Sequence, residues 1–271
     1  MANRSYLYSL SNRPTSYEDR PETISGLSEW AYDVPFVYRL LMSADPQLCA
    51  SLVSDGLEDD EASGVKTRLH AISSPFAPGF DRVRRFAEIV KVLAASAPPS
   101  ASVPIAAPAV SLLGRLKKRF SAAPPPAEAP AQSPATIQHL PSWSDETVAF
   151  LVAHRDDFLL LETIELDMMS EGEEEGLRHC VEAEIARCRD VGAAFETLPA
   201  DTHEAAHLLR RLAVEGGPPP LDAFSGLRFD DDCDSTRNGA TERPLGLTNW
   251  SEVLYFGLFN RAEFAAHRAK G

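Results

Sequence analysis

The sequence lacks the motifs by which most enzyme families are recognised. It has no G-x-S-x-G nucleophile elbow, no phosphate-binding P-loop and no G-x-G-x-x-G dinucleotide fingerprint. Cysteine is scarce too, since the 271 residues contain only Cys49, Cys180, Cys188 and Cys233, without a C-x-x-C pair. Scattered cysteines are typical of a reducing compartment and not of a disulfide scaffold. We therefore predict no catalytic residue and no cofactor.

Long apolar runs and an excess of positive charge are also absent. No segment approaches the ~20 apolar residues that cross a bilayer, and residues 1–9 lack the apolar core of a signal peptide. We expect a cytoplasmic protein without a transmembrane segment. The net charge is -14, with 40 acidic against 26 basic side chains. Nucleic-acid binding needs the opposite balance, whereas an acidic surface suits a basic protein partner.

Proline and alanine are concentrated in residues 97–136, which hold nine of the 21 prolines. This composition cannot bury a core and predicts a disordered insertion. A short basic run with apolar residues, SLLGRLKKRF at residues 111–120, lies inside it. If this run recruits another molecule, the protein is a regulatory scaffold.

Hydrophobic periodicity predicts regular structure on both sides of the insertion. Alternation of polar and apolar residues predicts a strand at residues 4–10, and a dense apolar run predicts a buried strand at residues 157–166. Asp33 is predicted to cap a helix that runs to residue 42. Residues 245–259, which are rich in aromatics, predict a strand or a buried helix. The other predicted helices are residues 81–95, 142–155, 173–195 and 202–214.

Neither side of the insertion contains a complete core by itself. We therefore predict an α+β (mixed α/β) fold: one globular domain with a small sheet flanked by several helices, interrupted by the disordered Pro/Ala-rich insertion. Residues 1–96 and 137–271 are the two parts of this domain. On this prediction Trp30 and Trp250 meet in one core.

One segment matches the H-E-x-x-H pattern of zinc peptidases, with His203, Glu204 and His207 as candidate metal-site residues. At about 100° per residue, however, the apolar residues of this helix fall on the face opposite the two histidines. A third ligand in a suitable helical motif is also missing from the sequence. The pattern therefore favours two exposed histidines and no metal, with a zinc-dependent hydrolase as an alternative function.

Two acidic loops, residues 55–61 and 230–234, are the candidate partner-binding segments. The second does not match a calcium-binding EF-hand, because positions six and twelve counted from Asp230 hold Ser235 and Thr241. The candidate partner-binding residues of the two loops are Asp55, Glu58, Asp59, Asp60, Glu61, Asp230, Asp231, Asp232 and Asp234.

Several stretches resemble a family of uncharacterised bacterial proteins. They are residues 1–9 (MANRSYLYS), 24–30 (ISGLSEW), 32–35 (YDVP), 158–162 (FLLLE), 245–247 (LGL) and 250–256 (WSEVLYF). The resemblance implies no catalytic residue, since the family has no established activity. Similar bacterial proteins are suspected as immunity or toxin-associated factors. Together with the acidic charge, this favours a non-enzymatic protein-binding module, for example an immunity protein that neutralises a basic toxin.

Overall fold

A computed structural model describes residues 3–58, 66–96, 137–229 and 243–270. Its main sheet has five strands in the order β2-β1-β7-β6-β3, and all neighbours are antiparallel. A separate ribbon pairs β4 with β5. The strands are β1 (Arg4–Leu10), β2 (Ile24–Ala31), β3 (Gln47–Ala50), β4 (Leu57–Glu58), β5 (Lys66–Thr67), β6 (His70–Pro75) and β7 (Phe158–Glu162).

The middle strand of the sheet comes from the second half of the chain. Leu161 of β7 lies opposite Leu7 of β1 on one side and opposite Ile72 of β6 on the other. Residues before and after the segment 97–136 therefore share one sheet, which confirms the predicted single α+β domain. The insertion and its basic run at residues 111–120 lie outside the described residues.

Seven α-helices are described. They are α1 (Phe36–Met42), α2 (Phe76–Ala95), α3 (Leu140–Ala153), α4 (Ile164–Asp167), α5 (Glu174–Glu196), α6 (Thr202–Glu215) and α7 (Arg261–Arg268), with a 3-10 helix at Leu221–Phe224. Helices α1, α2, α3, α5 and α6 contribute to the main core on one face of the sheet. The helices predicted at residues 81–95, 142–155, 173–195 and 202–214 are confirmed, although α2 begins five residues earlier than expected. None of the helices within the described ranges is both long enough and apolar enough to cross a membrane.

The alternating side chains of β1 divide the core into two layers. Leu7 packs with Trp30 and with the helices in the main core, whereas Tyr6 and Tyr8 belong to a second cluster on the opposite face of the sheet. The second cluster is covered by the C-terminal segment through Phe256 and its apolar neighbours. The hydroxyl of Tyr8 donates a 2.6 Å hydrogen bond to the Phe256 carbonyl, which holds this segment on the sheet.

The structure confirms the meeting of the two tryptophans and corrects two local predictions. Trp30 is 2% exposed in the main core, and Trp250 packs against the same core. Residues 245–259 form neither a strand nor a helix; one isolated bridge, between Ser28 and Trp250, joins the segment to β2. Asp33 does not cap α1; Pro35 occupies the N-cap position.

Candidate functional site

A buried ion network joins α1 to α5. The carboxylate of Glu184, whose side chain is 4% exposed, accepts hydrogen bonds from Arg39 Nε at 2.6 Å and Arg39 Nη2 at 3.2 Å. Arg187 Nε donates a further bond of 2.6 Å to Glu184. Arg39 Nη2 also lies 3.4 Å from Asp33 Oδ1. Two guanidinium groups therefore face two carboxylates, and the network is electrically balanced.

The environment of the network sets its charges. Burial lowers the pKa of Arg39, but the charges and hydrogen bonds of Glu184 and Asp33 outweigh this and raise it overall. Burial raises the pKa of Asp33, while Arg39 and the N–H of Val34, which donates a 2.7 Å bond, oppose the rise. Asp33, predicted as a helix cap, thus acts as an ion-pair partner of Arg39.

A cleft of about 380 Å³ opens beside this network. We call it the aspartate cleft; its charged lining residues are Asp33, Arg39, Arg187, Asp190, Asp222 and Arg243. Asp190 belongs to α5 and Asp222 to the 3-10 helix. Both are exposed, and neither carboxylate has a cationic partner in the described parts of the chain. The cleft therefore offers two carboxylates to an incoming cation.

The chain on both sides of the second predicted acidic loop is described. Asp230, Asp231, Asp232 and Asp234 themselves lie outside the described residues. The flanking chain is held together, because the N–H of Arg228 donates to the Arg243 carbonyl at 2.9 Å and the N–H of Arg243 donates to the Gly226 carbonyl at 2.7 Å. Arg243, the first described residue after this segment, lines the aspartate cleft.

The other acidic loop belongs to a different place. Asp55 lines a second cleft of about 620 Å³, together with Arg13, Arg68, His70 and Cys49. We call this the arginine cleft. Glu58 contributes its backbone to β4, and Asp59, Asp60 and Glu61 lie outside the described residues. The two clefts have no lining residue in common, so Asp55 is not part of the aspartate cleft.

The H-E-x-x-H segment occupies the outer face of α6. His203, Glu204 and His207 are exposed, whereas Ala205 and Leu209 pack into the main core. The helix is capped by Asp201, whose Oδ1 accepts the N–H of Glu204 at 2.9 Å. Within the described ranges, no group of three or more His, Cys, Asp or Glu side chains could hold a metal ion.

Sequence reasoning did not find the buried carboxyl group of Glu162 at the end of β7. Glu162 is 0% exposed and accepts hydrogen bonds from the Ser51 hydroxyl and the Leu52 N–H. Burial raises its pKa to about 7, although these bonds and Arg20 oppose the rise. The sequence signal that could have indicated this buried group is a charged residue at the end of an apolar strand. The network of Arg39 and Glu184 gave no such signal, since 145 residues separate the pair.

One comparison with known proteins gives a match. A family described as Domain of unknown function (DUF7822) matches residues 11–213 of the 271. The chain belongs to this family. No curated protein and no solved structure matches the chain. The DUF7822 match confirms the expected membership of an uncharacterised family. It includes every described lining residue of the arginine cleft, but ends before Asp222 and Arg243 of the aspartate cleft.

Proposed function

We propose that this DUF7822 protein is a non-enzymatic protein-binding module whose aspartate cleft receives a lysine or arginine side chain of a basic partner. One observation carries the proposal. Asp190 and Asp222 belong to different elements, line one cleft and have no cationic partner among the described residues. A cation between their carboxylates gains charge-assisted hydrogen bonds from both sides.

Two of the three arginines that line the cleft are already paired with a carboxylate. Arg39 and Arg187 are held by Glu184, and Arg243 donates a 2.9 Å bond to the Ala223 carbonyl. Because ion pairs hold Arg39 and Arg187 and a hydrogen bond holds Arg243, little ordering is needed when a cation enters. Such preorganisation reduces the entropic cost of association.

Charge beyond the cleft supports the same partner. The chain carries a net charge of -14, and complementary fields accelerate and orient the encounter with a basic protein. Four further acidic side chains, Asp230, Asp231, Asp232 and Asp234, follow Phe229 in the sequence. The partner class that we propose is a basic toxin, which this protein neutralises as an immunity protein by masking its positive surface.

The test compares two charge-matched double variants as bait in the native host. Asp190→Asn/Asp222→Asn removes the carboxylates of the cleft, and Glu146→Gln/Glu215→Gln removes two exposed carboxylates elsewhere. A basic protein that is recovered in a one-to-one ratio with the wild-type bait is then purified. Its affinity for wild type and for each double variant is measured by calorimetry at two salt concentrations. We expect the cleft variant to lose affinity at least about tenfold, a size typical of charged contacts, and the control variant to retain it.

Equal affinity of both double variants for the partner would show that the cleft is not the binding surface. Recovery of no stoichiometric partner from the host would remove the protein-binding proposal itself. For the toxin class, the recovered partner must be harmful when expressed alone and harmless when expressed with this protein. A partner that is harmless alone contradicts the immunity role.

A further inference from the structure

The arginine cleft has a different character from the rest of this acidic protein. It lies at the edge of the sheet, where β3 and the beginning of β6 meet the loop of residues 13–18. Two of its residues, Arg13 and Arg68, carry guanidinium groups without a carboxylate partner in the described chain. In a chain of net charge -14, two such cations on one cleft call for an explanation.

Arg13 is held in place without being neutralised. Its guanidinium carbon lies 5.5 Å from the centre of the Phe158 ring, and its Nη1 donates to Gln47. Its Nε is buried and has no hydrogen-bond partner. A buried donor without a partner costs about 1–3 kcal/mol, so a ligand oxygen that accepts this bond would be favoured.

Two acidic residues, Glu18 and Asp55, also line the cleft, but neither Arg13 nor Arg68 forms an ion pair with them in the described chain. Glu18 is paired with Arg268 of α7 at 2.6 Å. The backbone N–H of Arg68 donates to Glu174 at 3.0 Å, and its exposed side chain belongs to a lining residue of the cleft. The positive charge of Arg13 and Arg68 is therefore available to an anion.

The rest of the lining is uncharged and partly apolar. Leu69 and Cys49 are 3% and 8% exposed, and burial together with the charge of Glu162 raises the pKa of the Cys49 thiol, so the thiol stays protonated. Burial lowers the pKa of His70, and the positive charges of Arg178 and Arg68 lower it further. The charge of Glu174 and a hydrogen bond with the Cys49 backbone oppose this change. His70 is thus a neutral hydrogen-bonding group at pH 7.

From this arrangement we infer that the arginine cleft is a binding site for a small organic anion, whose phosphate or carboxylate head binds the arginine side chains that line it and whose short apolar body lies against Leu48 and Leu69. Guanidinium groups bind such heads through parallel N–H···O bonds. A cleft of about 620 Å³ is in the range of small-molecule sites. This site is independent of the aspartate cleft and of the partner proposed for it.

The experiment titrates the full chain with three probes: phenyl phosphate, benzoate and inorganic phosphate. Binding is followed by calorimetry and by the NMR titration of His70, identified through the variant His70→Gln. We expect saturable binding, with phenyl phosphate or benzoate tighter than inorganic phosphate because of the apolar walls. An anion beside His70 stabilises the imidazolium, so the pKa of His70 must rise on binding. The tighter organic probe identifies which head group the cleft prefers.

Variants locate the binding. Arg68→Gln and Arg13→Gln/Arg68→Gln should weaken the affinity about tenfold or more, whereas Arg84→Gln, an exposed arginine paired with Asp81 on α2, should leave it unchanged. Arg68 is exposed, so its single variant keeps the test valid if the Arg13 change disturbs the packing on Phe158. The inference is overturned if none of the probes binds saturably, if Arg84→Gln weakens binding as much as Arg68→Gln, or if the pKa of His70 does not move.

Discussion

The hydroxyl of Ser51 donates a 2.9 Å hydrogen bond to the buried carboxylate of Glu162, which ties the loop after β3 to the central strand. Glu162 is also faced by Arg20 and, more distantly, by Asp167. This buried titratable group makes the stability of the fold depend on pH.

Stability should fall as the pH rises from about 4.5 to about 7. Burial raises the pKa of Glu162 from 4.5 to about 7, so in this window the folded state keeps a proton that the unfolded state has released, and ionisation favours unfolding. The whole effect is about 3 kcal/mol. Urea denaturation at pH 5 and pH 7.5 should show a smaller loss of stability in Glu162→Gln than in wild type. Identical pH slopes for the two proteins would contradict the prediction.

The burial of Asp167 gives a smaller effect of the same sign. Its pKa is raised to about 6 by burial, against the hydrogen bond from Thr163. We expect Asp167→Asn to remove part of the pH slope that remains in Glu162→Gln, chiefly below pH 6. Urea denaturation between pH 4.5 and pH 6 measures this difference. If Glu162→Gln/Asp167→Asn has the same pH dependence of stability as Glu162→Gln, Asp167 does not contribute to it.

The ion pair of Arg39 and Glu184 should stabilise the fold as a unit. Arg39→Met leaves the buried Glu184 carboxylate with only Arg187. It also removes the cationic partner of Asp33, and we expect it to lower the free energy of unfolding by about 3 kcal/mol. Arg39→Met/Glu184→Met removes both charges and should recover most of that loss. The double-mutant cycle in urea measures the coupling. If the double variant is less stable than the single one, the buried charge is not the cause.

Gly79 allows α2 to approach α1. A Cβ at this position would lie 1.9 Å from the Leu41 carbonyl oxygen, so Gly79→Ala must displace the helix, at a cost of about 2 kcal/mol. At Gly172 nothing lies within 4 Å of a Cβ, and Gly172→Ala is the matched control. Thermal unfolding should separate the two variants. Equal melting temperatures would mean that the helices can move apart without cost.

The outer face of α6 should tolerate change where its inner face does not. His203→Ala/His207→Ala should alter the free energy of unfolding by less than about 0.5 kcal/mol and leave the metal content of the purified protein unchanged. Leu209→Ala on the same helix should cost about 3 kcal/mol, because Leu209 is 0% exposed. Loss of bound zinc from the histidine variant would restore the hydrolase alternative.

Cleavage between residues 97 and 136 should leave a stable complex. β7 pairs with β1 and β6 from the preceding part of the chain, so the two fragments share one sheet. After cutting at an introduced protease site, the fragments should elute together in gel filtration and separate only in denaturant. Two fragments that elute separately and remain folded would indicate two domains.

Local patterns predicted the elements whose burial is periodic. The strand at residues 4–10 alternates polar and apolar side chains, and the predicted helix 173–195 lies within one residue of α5. β6 was not predicted, because Ser73 and Ser74 resemble loop residues although both are 0% exposed. Residues 245–259 were assigned regular structure from their aromatics, but alternate side chains cover the sheet without a neighbouring strand. Tertiary packing decides both cases.

The candidate site was less predictable than the fold. Arg39 and Glu184 are 145 residues apart, and no local pattern indicates that two such residues meet. Asp33 was predicted to cap a helix because of its capping propensity. Its contact with Arg39 depends instead on how α1 packs against α5. Asp55 and residues 230–234 were selected by charge alone. Charge density gives the sign of a partner, but its geometry arises only when distant elements pack together.

The position of β7 also sets an order of events during protein synthesis. β1, β2, β3 and β6 are all complete by Pro75, yet the strand that joins the two pairs ends at Glu162. At roughly 5–20 residues per second, the ribosome needs several seconds to make the intervening chain. For that time β1 and β6 each present an open hydrogen-bonding edge, the kind of surface that recruits other nascent chains. Expression yield should therefore respond to translation speed and chaperone supply before it responds to the stability of the finished fold.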